Sequence, residues 1–462
     1  MVLTNRLTTV LAVALAGSAS AITLDITSEE SIKNAASTAS FNTMSNYTSN
    51  HTGSAPGAIP SDWWEGGALF TTLIQYWYFT GDTSNNPAVS EGMYWQRGSG
   101  NNYMPSNSSS YMSNVDQMTW GLAAMTAAEL DYPQEAGMPS WLTLAQNVHR
   151  VQSARWNTNT CGGGLRWEIW PYQAGYTLKT AGSNGGLFQL SARLARFTGN
   201  QSYADWAETI WDWSLTTLVN NETWSVADST SASDDCATVG RTQWTYNYGG
   251  YLSGLAYMYN FTNGDTKWKT GLDGLLNTTF TTFFPEKYGG KIMSEITCEP
   301  LELCDNSEDT YKGLLAGDLT FVSLVAPYTY SEILPHLQGS ASGAAKQCTG
   351  GTNETLCGRR WYQTTWDGTS SMEEEMSATS IFTSNLVAFK DGAPATQATA
   401  TNGTGSSAYG TGSGTSNGTS STSTSASGNS TATGTTKNGG STVACGALGV
   451  VAAILAGAVA LV

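Results

Sequence analysis

The chain has 462 residues, a formal net charge of −16 at pH 7 and a charged fraction of only 12%. This acidity argues against nucleic acids and anionic membrane surfaces as partners, because both are bound through basic faces. Once two unusual ends are set aside, the length suffices for one large domain or two small ones.

The first 21 residues have the pattern of a secretion signal. Arg6 supplies a positive start, residues 7–16 form a short apolar run, and Ala19 and Ala21 make a small-x-small cleavage site. A buried first helix is the alternative, but the run shows no amphipathic pattern. We therefore predict a signal peptide over residues 1–21 and a secreted protein.

The last 69 residues have the pattern of an attachment signal for a glycosylphosphatidylinositol (GPI) lipid. From Pro394 the composition collapses to Ser, Thr, Gly, Ala and Asn, which cannot bury enough apolar surface to fold. Lys437 is the last charged residue, and residues 443–462 are apolar. A tail-anchored helix would have polar residues beyond it. We predict a flexible linker over residues 394–442 that carries the GPI site, and a removed tail over residues 443–462.

Sequons and cysteines favour an extracellular domain over residues 22–393. The N-x-S/T sequons of this domain are at Asn46, Asn50, Asn107, Asn200, Asn221, Asn260, Asn277 and Asn353. Its cysteines are Cys161, Cys236, Cys298, Cys304, Cys348 and Cys357. Fifteen pairings are open; we prefer the two local ones, Cys298–Cys304 and Cys348–Cys357, which leave Cys161–Cys236. The three histidines form no zinc motif, so we expect no metal and no other cofactor.

A helical segment rich in small residues recurs along the domain. Its copies are Trp63–Asp82, Asp116–Leu130, Asn184–Asn200, Asn247–Asp265, Tyr311–Val325 and Met372–Phe389. After the first interval the spacing is roughly 64 residues, which fits a helix hairpin. Amphipathic partner helices are predicted at Glu29–Met44, Trp141–Trp156, Tyr203–Leu218 and Thr266–Phe284. An irregular α-solenoid would show the same repeat, but six copies without a capping repeat favour an all-α (α/α)6 barrel with the repeated helices inside.

The inner helices of such a barrel run parallel, so the residues at their starts meet at one face. These residues are Asp62, Trp63, Trp64, Glu65, Asn114, Asp116, Ser183, Asn184, Trp244, Tyr246, Asn247, Tyr248, Asp309, Lys312 and Glu373–Glu375. Aromatic rings stack on sugars, and carboxylates and amides bind hydroxyls, so the face predicts a carbohydrate cleft. The candidate glycan contacts are Trp64, Glu65, Asn184, Trp244, Tyr246, Asn247, Tyr248 and Asp309. Simpler interpretations exist: Asn184 as a helix cap, and Glu373–Glu375 as a solvated charge run.

Several segments resemble fungal members of glycoside hydrolase family 76. They are WWEGGALFTTLIQYWYFTGD, NVDQMTWGLAAMTAAE, LRWEIW, SNGGLFQLSARLARFTGNQSYADWA and QWTYNYG, and the likeness runs from about Asp25 to about Phe389. The resemblance implies an (α/α)6 barrel and a GPI-anchored mannan endo-1,6-α-mannosidase. The implied partners are α-1,6-mannose-containing glycans of the cell wall, including GPI core glycans, which are hydrolysed or transferred.

The chain departs from the family at its catalytic pair. The family carries two adjacent aspartates where this chain has Val115-Asp116. The resemblance implies that Asp116 is the general acid/base and that Val115 replaces the nucleophile; the simpler interpretation of Asp116 is a carboxylate that offsets a helix dipole. A retaining glycosidase needs two carboxylates.

Three outcomes are therefore open for the reaction. Glu65, Asp309 or one of Glu373–Glu375 substitutes for the missing carboxylate, or water attacks by an inverting route, or only glycan binding remains. We predict an enzyme, with a non-catalytic mannan-binding protein and a structural wall glycoprotein as alternatives.

Overall fold

The computed structural model describes residues 21–51, 53–59 and 61–401. The predicted signal peptide up to residue 20, the linker beyond residue 401 and the tail at residues 443–462 lie outside these ranges. The α-helices of the described residues are α1 Glu29–Ser45, α2 Glu65–Thr80, α3 Asn86–Trp95, α4 Asn114–Glu129, α5 Trp141–Ser153, α6 Ala181–Thr198, α7 Gln201–Thr217, α8 Thr245–Phe261, α9 Thr266–Phe283, α10 Asn306–Val325, α11 Tyr330–Gln347 and α12 Met372–Ser384. None of them combines the length and the apolar character needed to cross a membrane.

The helices form two concentric layers. Helices α2, α4, α6, α8, α10 and α12 pack side by side in that order, and α12 packs back on α2, so the inner ring is closed. The remaining helices pack outside this ring, with α5, α7, α9 and α11 each against the inner helix that precedes it in the chain. The architecture is the predicted (α/α)6 barrel, and all six repeated segments form its inner ring.

Glycines allow the inner helices to approach closely. A Cβ atom at Gly67 would lie 2.9 Å from the backbone nitrogen of Trp120, and one at Gly313 would lie 2.8 Å from the Cα of Ser377. Both distances are shorter than side chains tolerate, so α2–α4 and α10–α12 pack backbone against backbone at these points. This explains why the repeated segments are rich in small residues.

Helix ends follow the predicted signals where the signal is strong. Gly81 and Gly199 end α2 and α6 in the left-handed conformation, with φ of 78° and 68°. Two helices were not predicted. Helix α3 is short, and α11 contains Pro335, which normally breaks a helix; here burial of Ile333 and Leu337 stabilises α11.

All three predicted disulfides are present. Cys298–Cys304 and Cys348–Cys357 close short loops, and Cys161–Cys236 joins two long loops. Short antiparallel strand pairs lie beside these bridges: β1 Leu178–Thr180 with β2 Ser229–Ser231, and β3 Cys348–Gly350 with β4 Leu356–Cys357.

The chain remains packed on the barrel beyond the predicted domain boundary at residue 393. The backbone nitrogens of Ala395 and Gln397 donate to the carbonyls of Glu129 and Phe197, at 2.9 and 2.8 Å. Arg196 also donates to the carbonyl of Pro394 at 2.8 Å. The first residues of the predicted linker are therefore hydrogen-bonded to the ends of α4 and α6.

One sequon is expected to carry no glycan. The Asn260 side-chain nitrogen donates to the Val325 carbonyl at 2.8 Å, and its oxygen accepts from Arg196 at 3.0 Å, so the amide is engaged on both sides. The other sequon asparagines in the domain are exposed. We expect glycopeptide mass spectrometry of the secreted protein to find Asn260 unmodified, with Asn277 as the exposed comparison. A glycan on Asn260 in folded protein would contradict this packing.

Candidate active site

A cleft of about 310 Å³ lies where the inner helices begin. Starts of α2, α4, α6, α8 and α10 contribute to it, together with two loops. Its lining residues are Asp62, Trp64, Val115, Asp116, Thr119, Trp167, Leu178, Thr180, Asp228, Trp244, Tyr246, Ser307, Glu308, Tyr311 and Leu314. The predicted common face therefore exists, and it is concave, aromatic and acidic.

Asp116 is held rigidly at the floor of this cleft. Asp116 is the third residue of α4. Its Oδ2 accepts a hydrogen bond from the Ser113 backbone nitrogen at 2.7 Å, and the Asp116 backbone nitrogen donates to Ser113 Oγ at 3.1 Å. Burial raises the pKa of Asp116 to about 6, the Ser113 hydrogen bonds oppose this rise, and the charge of Asp62 adds to it. This carboxyl group lines the cleft and holds its proton at a higher pH than an exposed aspartate does.

Val115 lies beside Asp116 and lines two spaces at once. It lines the cleft and also a separate cavity that runs down the barrel axis. The axial cavity contains polar side chains, among them Gln189 and Asp318, with Gln189 donating to Asp318 at 2.7 Å. Thr119, Tyr246 and Leu314 line both spaces as well, so the apolar Val115 belongs to the boundary that the cleft and the axial cavity share, next to Asp116.

Three further carboxylates line the cleft. Asp62 precedes α2, Asp228 lies in the loop before α8, and Glu308 is in the first turn of α10. Burial raises the pKa of all three. Asn247 donates to Asp228 Oδ1 at 3.0 Å and fixes its orientation. Sequence reasoning placed Asp62 on this face but missed Asp228, because only folding brings its loop to the start of α6, where Ala181 donates to the Asp228 carbonyl.

Glu168 is a buried carboxylate close to Asp116. It pairs with Ser113 in an isolated antiparallel bridge, and its Oε2 has no hydrogen-bond partner among the described residues. Burial and the charge of Asp116 raise the pKa of Glu168 to about 7. This proximity favours the protonated form of one of the two groups.

One group of cleft residues is aromatic. Tyr311 is at its centre, with ring-centroid distances of 4.3 Å to Tyr246, 5.9 Å to Trp244 and 6.4 Å to Trp64. Trp64, Trp244 and Tyr246 were predicted as glycan contacts and do line the cleft. Tyr311 was recognised only as the start of a repeat, although its position one turn into α10 brings its ring to the same cleft.

Five of the predicted contact residues do not line the cleft: Glu65, Asn184, Asn247, Tyr248 and Asp309. Glu65, Asn184 and Tyr248 are fully buried, and Asp309 nearly so. Asn184 bonds the backbone of Leu165, which makes it a loop anchor. The Tyr248 hydroxyl accepts from Val226.

Two of these five are carboxyl groups with structural partners. Asp309 forms an ion pair with Arg359 at 3.0 Å, and Glu65 accepts from Ser61. Burial and neighbouring carboxylates raise the pKa of Glu65 to about 8. The fifth of these residues, Asn247, is buried and lines the axial cavity.

Glu373–Glu375 form neither a solvated run nor part of the cleft. All three side chains are buried at the start of α12. Glu373 accepts from Ser61 at 2.9 Å, Glu374 pairs with Arg359 at 2.9 Å, and Glu375 accepts from the Cys357 nitrogen at 2.7 Å. Each carboxyl group has a structural partner, so none of the three faces the cleft as a free carboxylate.

Comparison with known proteins identifies the family. A model of glycosyl hydrolase family 76 matches residues 31–398. The chain belongs to this family. A putative mannan endo-1,6-alpha-mannosidase of Schizosaccharomyces pombe is 42% identical to it over 322 residues, covering 69% of this chain and 72% of the relative. A mannan endo-1,6-alpha-mannosidase of Saccharomyces cerevisiae is 38% identical over 398 residues, covering 85% of this chain and 87% of the relative.

Solved structures of family 76 proteins share the fold. Dfg5 from Chaetomium thermophilum, in complex with glucosamine, superposes with a TM-score of 0.77 and 37% identity over 81% of this chain and 95% of that one. An inactive variant of the α-1,6-mannanase GH76A of Salegentibacter sp. HEL1_6, in complex with α-1,6-mannotriose, gives 0.63 and 16% identity over 77% of this chain and 99% of that one. The family predicted from the sequence is confirmed.

Proposed function

We propose that this family 76 protein is an endo-acting α-1,6-mannosidase or transglycosidase that uses Asp116 as its general acid. The observation that carries the proposal is the Asp116 carboxyl group, fixed at the floor of an aromatic cleft with its pKa raised to about 6. The activity for which its relatives are named supports α-1,6-linked mannose as the substrate. Cell-wall mannan and GPI core glycans are the substrates that we propose.

In this mechanism Asp116 donates its proton to the glycosidic oxygen as the bond to the anomeric carbon breaks. Trp64, Trp244 and Tyr246 hold the sugar rings by stacking. A second carboxylate must then activate water or stabilise the developing positive charge. Asp62 is the first candidate, because it lines the same cleft and its charge raises the pKa of Asp116.

The alternative function is mannan binding without turnover, and Val115 is the observation that favours it. Valine cannot attack the anomeric carbon, and the buried acids around Glu374 cannot reach the cleft. If none of Asp62, Asp228 and Glu308 reaches the anomeric carbon, the cleft would bind the glycan and release it unchanged.

Val115→Asp tests the choice between the two functions. Position 115 is the second residue of α4, where a carboxylate is favoured by the helix dipole, and valine and aspartate have similar volumes. We expect the natural protein to cleave α-1,6-mannan slowly and Val115→Asp to raise kcat by about 10²-fold or more, since a covalent route becomes possible. Product release is measured by chromatography of reducing sugars.

Val115→Asn is the matched control, because it has the shape of aspartate without a nucleophilic charge. No cleavage by the natural protein, together with cleavage by Val115→Asp, would favour the binding function. Absence of activity in both proteins on α-1,6-mannan would contradict the enzymatic proposal.

The location that we propose is the outer face of the plasma membrane or the cell wall, through a GPI lipid. The signal patterns at both ends of the sequence support it. Three disulfides and exposed sequons in the barrel are typical of a secreted domain.

A further inference from the structure

An exposed group of aromatic side chains lies beside the cleft. We call Tyr111, Trp167, Trp170 and Tyr172 the aromatic shelf. Tyr111 is 60% exposed and Tyr172 is 70% exposed, and the ring planes of Trp170 and Tyr172 are within 4° of parallel at a centroid distance of 6.4 Å. Large aromatic side chains this open to solvent are informative, because folding gains nothing from their exposure.

Hydrogen bonds to one neighbouring loop hold the shelf in place. Trp170 Nε1 donates to the Ser109 carbonyl and the Tyr172 hydroxyl donates to the Ser110 carbonyl, both at 2.6 Å. The Tyr111 hydroxyl donates to Ser108 Oγ at 3.2 Å. Because the polar ends of the rings are bonded to protein, their ring faces remain for an apolar surface. Ordered rings also lose little conformational entropy when a ligand binds.

The shelf is continuous with the cleft. Trp167 lines the cleft, and its ring packs on the backbone at Gly175, where an added Cβ would come within 2.5 Å. The Asn114 nitrogen donates to the Trp167 carbonyl at 2.8 Å, so the shelf is bonded to the start of the helix that carries Asp116. Trp167 therefore belongs to both the shelf and the cleft, and Trp170 and Tyr172 follow it closely in the chain.

We propose that the aromatic shelf is a sugar-binding subsite outside the cleft, which stacks a pyranose unit of the same α-1,6-mannosyl chain distant from Asp116. The inference rests on the proposed function. A pyranose ring has the required chemistry, since it offers an apolar C–H face to the rings and hydroxyls to solvent. Ligands too short to extend past Trp167 gain nothing from the shelf.

The test is calorimetric titration with α-1,6-mannooligosaccharides of increasing length, from the disaccharide to the hexasaccharide. Asp116→Asn is the background, which slows turnover and retains the acceptor for the Ser113 nitrogen. We expect Tyr172→Ala to weaken binding of the longest oligosaccharides by about 3- to 10-fold and to leave the disaccharide unchanged. Tyr111→Ala is the second shelf variant. Phe41→Ala is the control, because Phe41 is 69% exposed on α1.

Each result decides between the shelf and the proposed function. If the affinity of Tyr172→Ala and Tyr111→Ala depends on oligosaccharide length in the same way as that of Phe41→Ala, the shelf proposal alone is overturned. Binding of no α-1,6-mannoside at any length would overturn the shelf and the proposed function together. A glycan on the nearby sequon at Asn107 is another possible occupant. If Tyr172→Ala weakens no oligosaccharide until Asn107→Gln removes that glycan, the shelf holds the chain's own glycan and the proposal is overturned.

Discussion

Asp116→Asn is expected to lower kcat on α-1,6-mannan by about 10²- to 10⁴-fold, with little change in KM. The amide cannot supply a proton to the leaving oxygen. It does retain the oxygen that accepts from the Ser113 nitrogen, so α4 keeps its cap. The loss is therefore expected in the chemical step, with the melting temperature nearly unchanged. Initial rates on defined oligosaccharides measure it.

One control variant accompanies Asp116→Asn. Asp265→Asn replaces a carboxylate that caps the outer helix α9, and we expect full activity from it. Undiminished activity of Asp116→Asn, or equal losses in Asp116→Asn and Asp265→Asn, would contradict the role of Asp116.

The activity of the natural protein is also expected to depend on pH. Its kcat/KM should fall about tenfold for each pH unit above about 6, because the acid must be protonated and the pKa of Asp116 is raised to about 6.

Arg193→Met is expected to lower the free energy of unfolding by about 3–5 kcal/mol. Arg193 Nη2 lies 2.8 Å from Glu129 Oε2, and both side chains are buried inside the barrel. The Tyr257 hydroxyl donates to the same oxygen at 3.0 Å. Methionine keeps the apolar stem of arginine but leaves the Glu129 charge buried with one neutral donor. Denaturant titration of the secreted domain measures the change.

Lys267→Met is the comparison for this variant. Lys267 pairs with Glu208 and Asp212 on the surface, where solvent screens the charges, so we expect a loss of about 1 kcal/mol or less. Adding Glu129→Gln to Arg193→Met should recover part of the stability, because the unpaired charge is then removed. Equal losses for the buried and the surface pair would contradict this account.

The barrel was predictable because its inner helices repeat. Six segments rich in small residues gave the ring, and the glycine contacts, such as Gly313 against Ser377, explain why the composition repeats. The preferred disulfide pairing also followed from the sequence, since pairing the near neighbours left Cys161 and Cys236. Helix α11 was missed because Pro335 removes a backbone donor, and only its packing against the barrel restores the helix.

The cleft residues were predicted less well, for a geometric reason. A position near a helix start assigns a residue to one end of the barrel. Successive side chains along a helix, however, point in directions about 100° apart around its axis, so neighbours in sequence face different surroundings. Trp64 therefore lines the cleft while Glu65, next in sequence, is buried. Tyr246 likewise lines the cleft, whereas Tyr248 packs outside it against Phe283.

The sequence by itself determined the all-α repeat, the preferred disulfides, the family resemblance and the place of Val115-Asp116 at the start of an inner helix. These are properties of local pattern and spacing. Only the tertiary structure decided that Asp228 reaches the cleft and that Glu373–Glu375 do not. The rotation of each helix and the path of each loop are set by packing against neighbours that are distant in the chain.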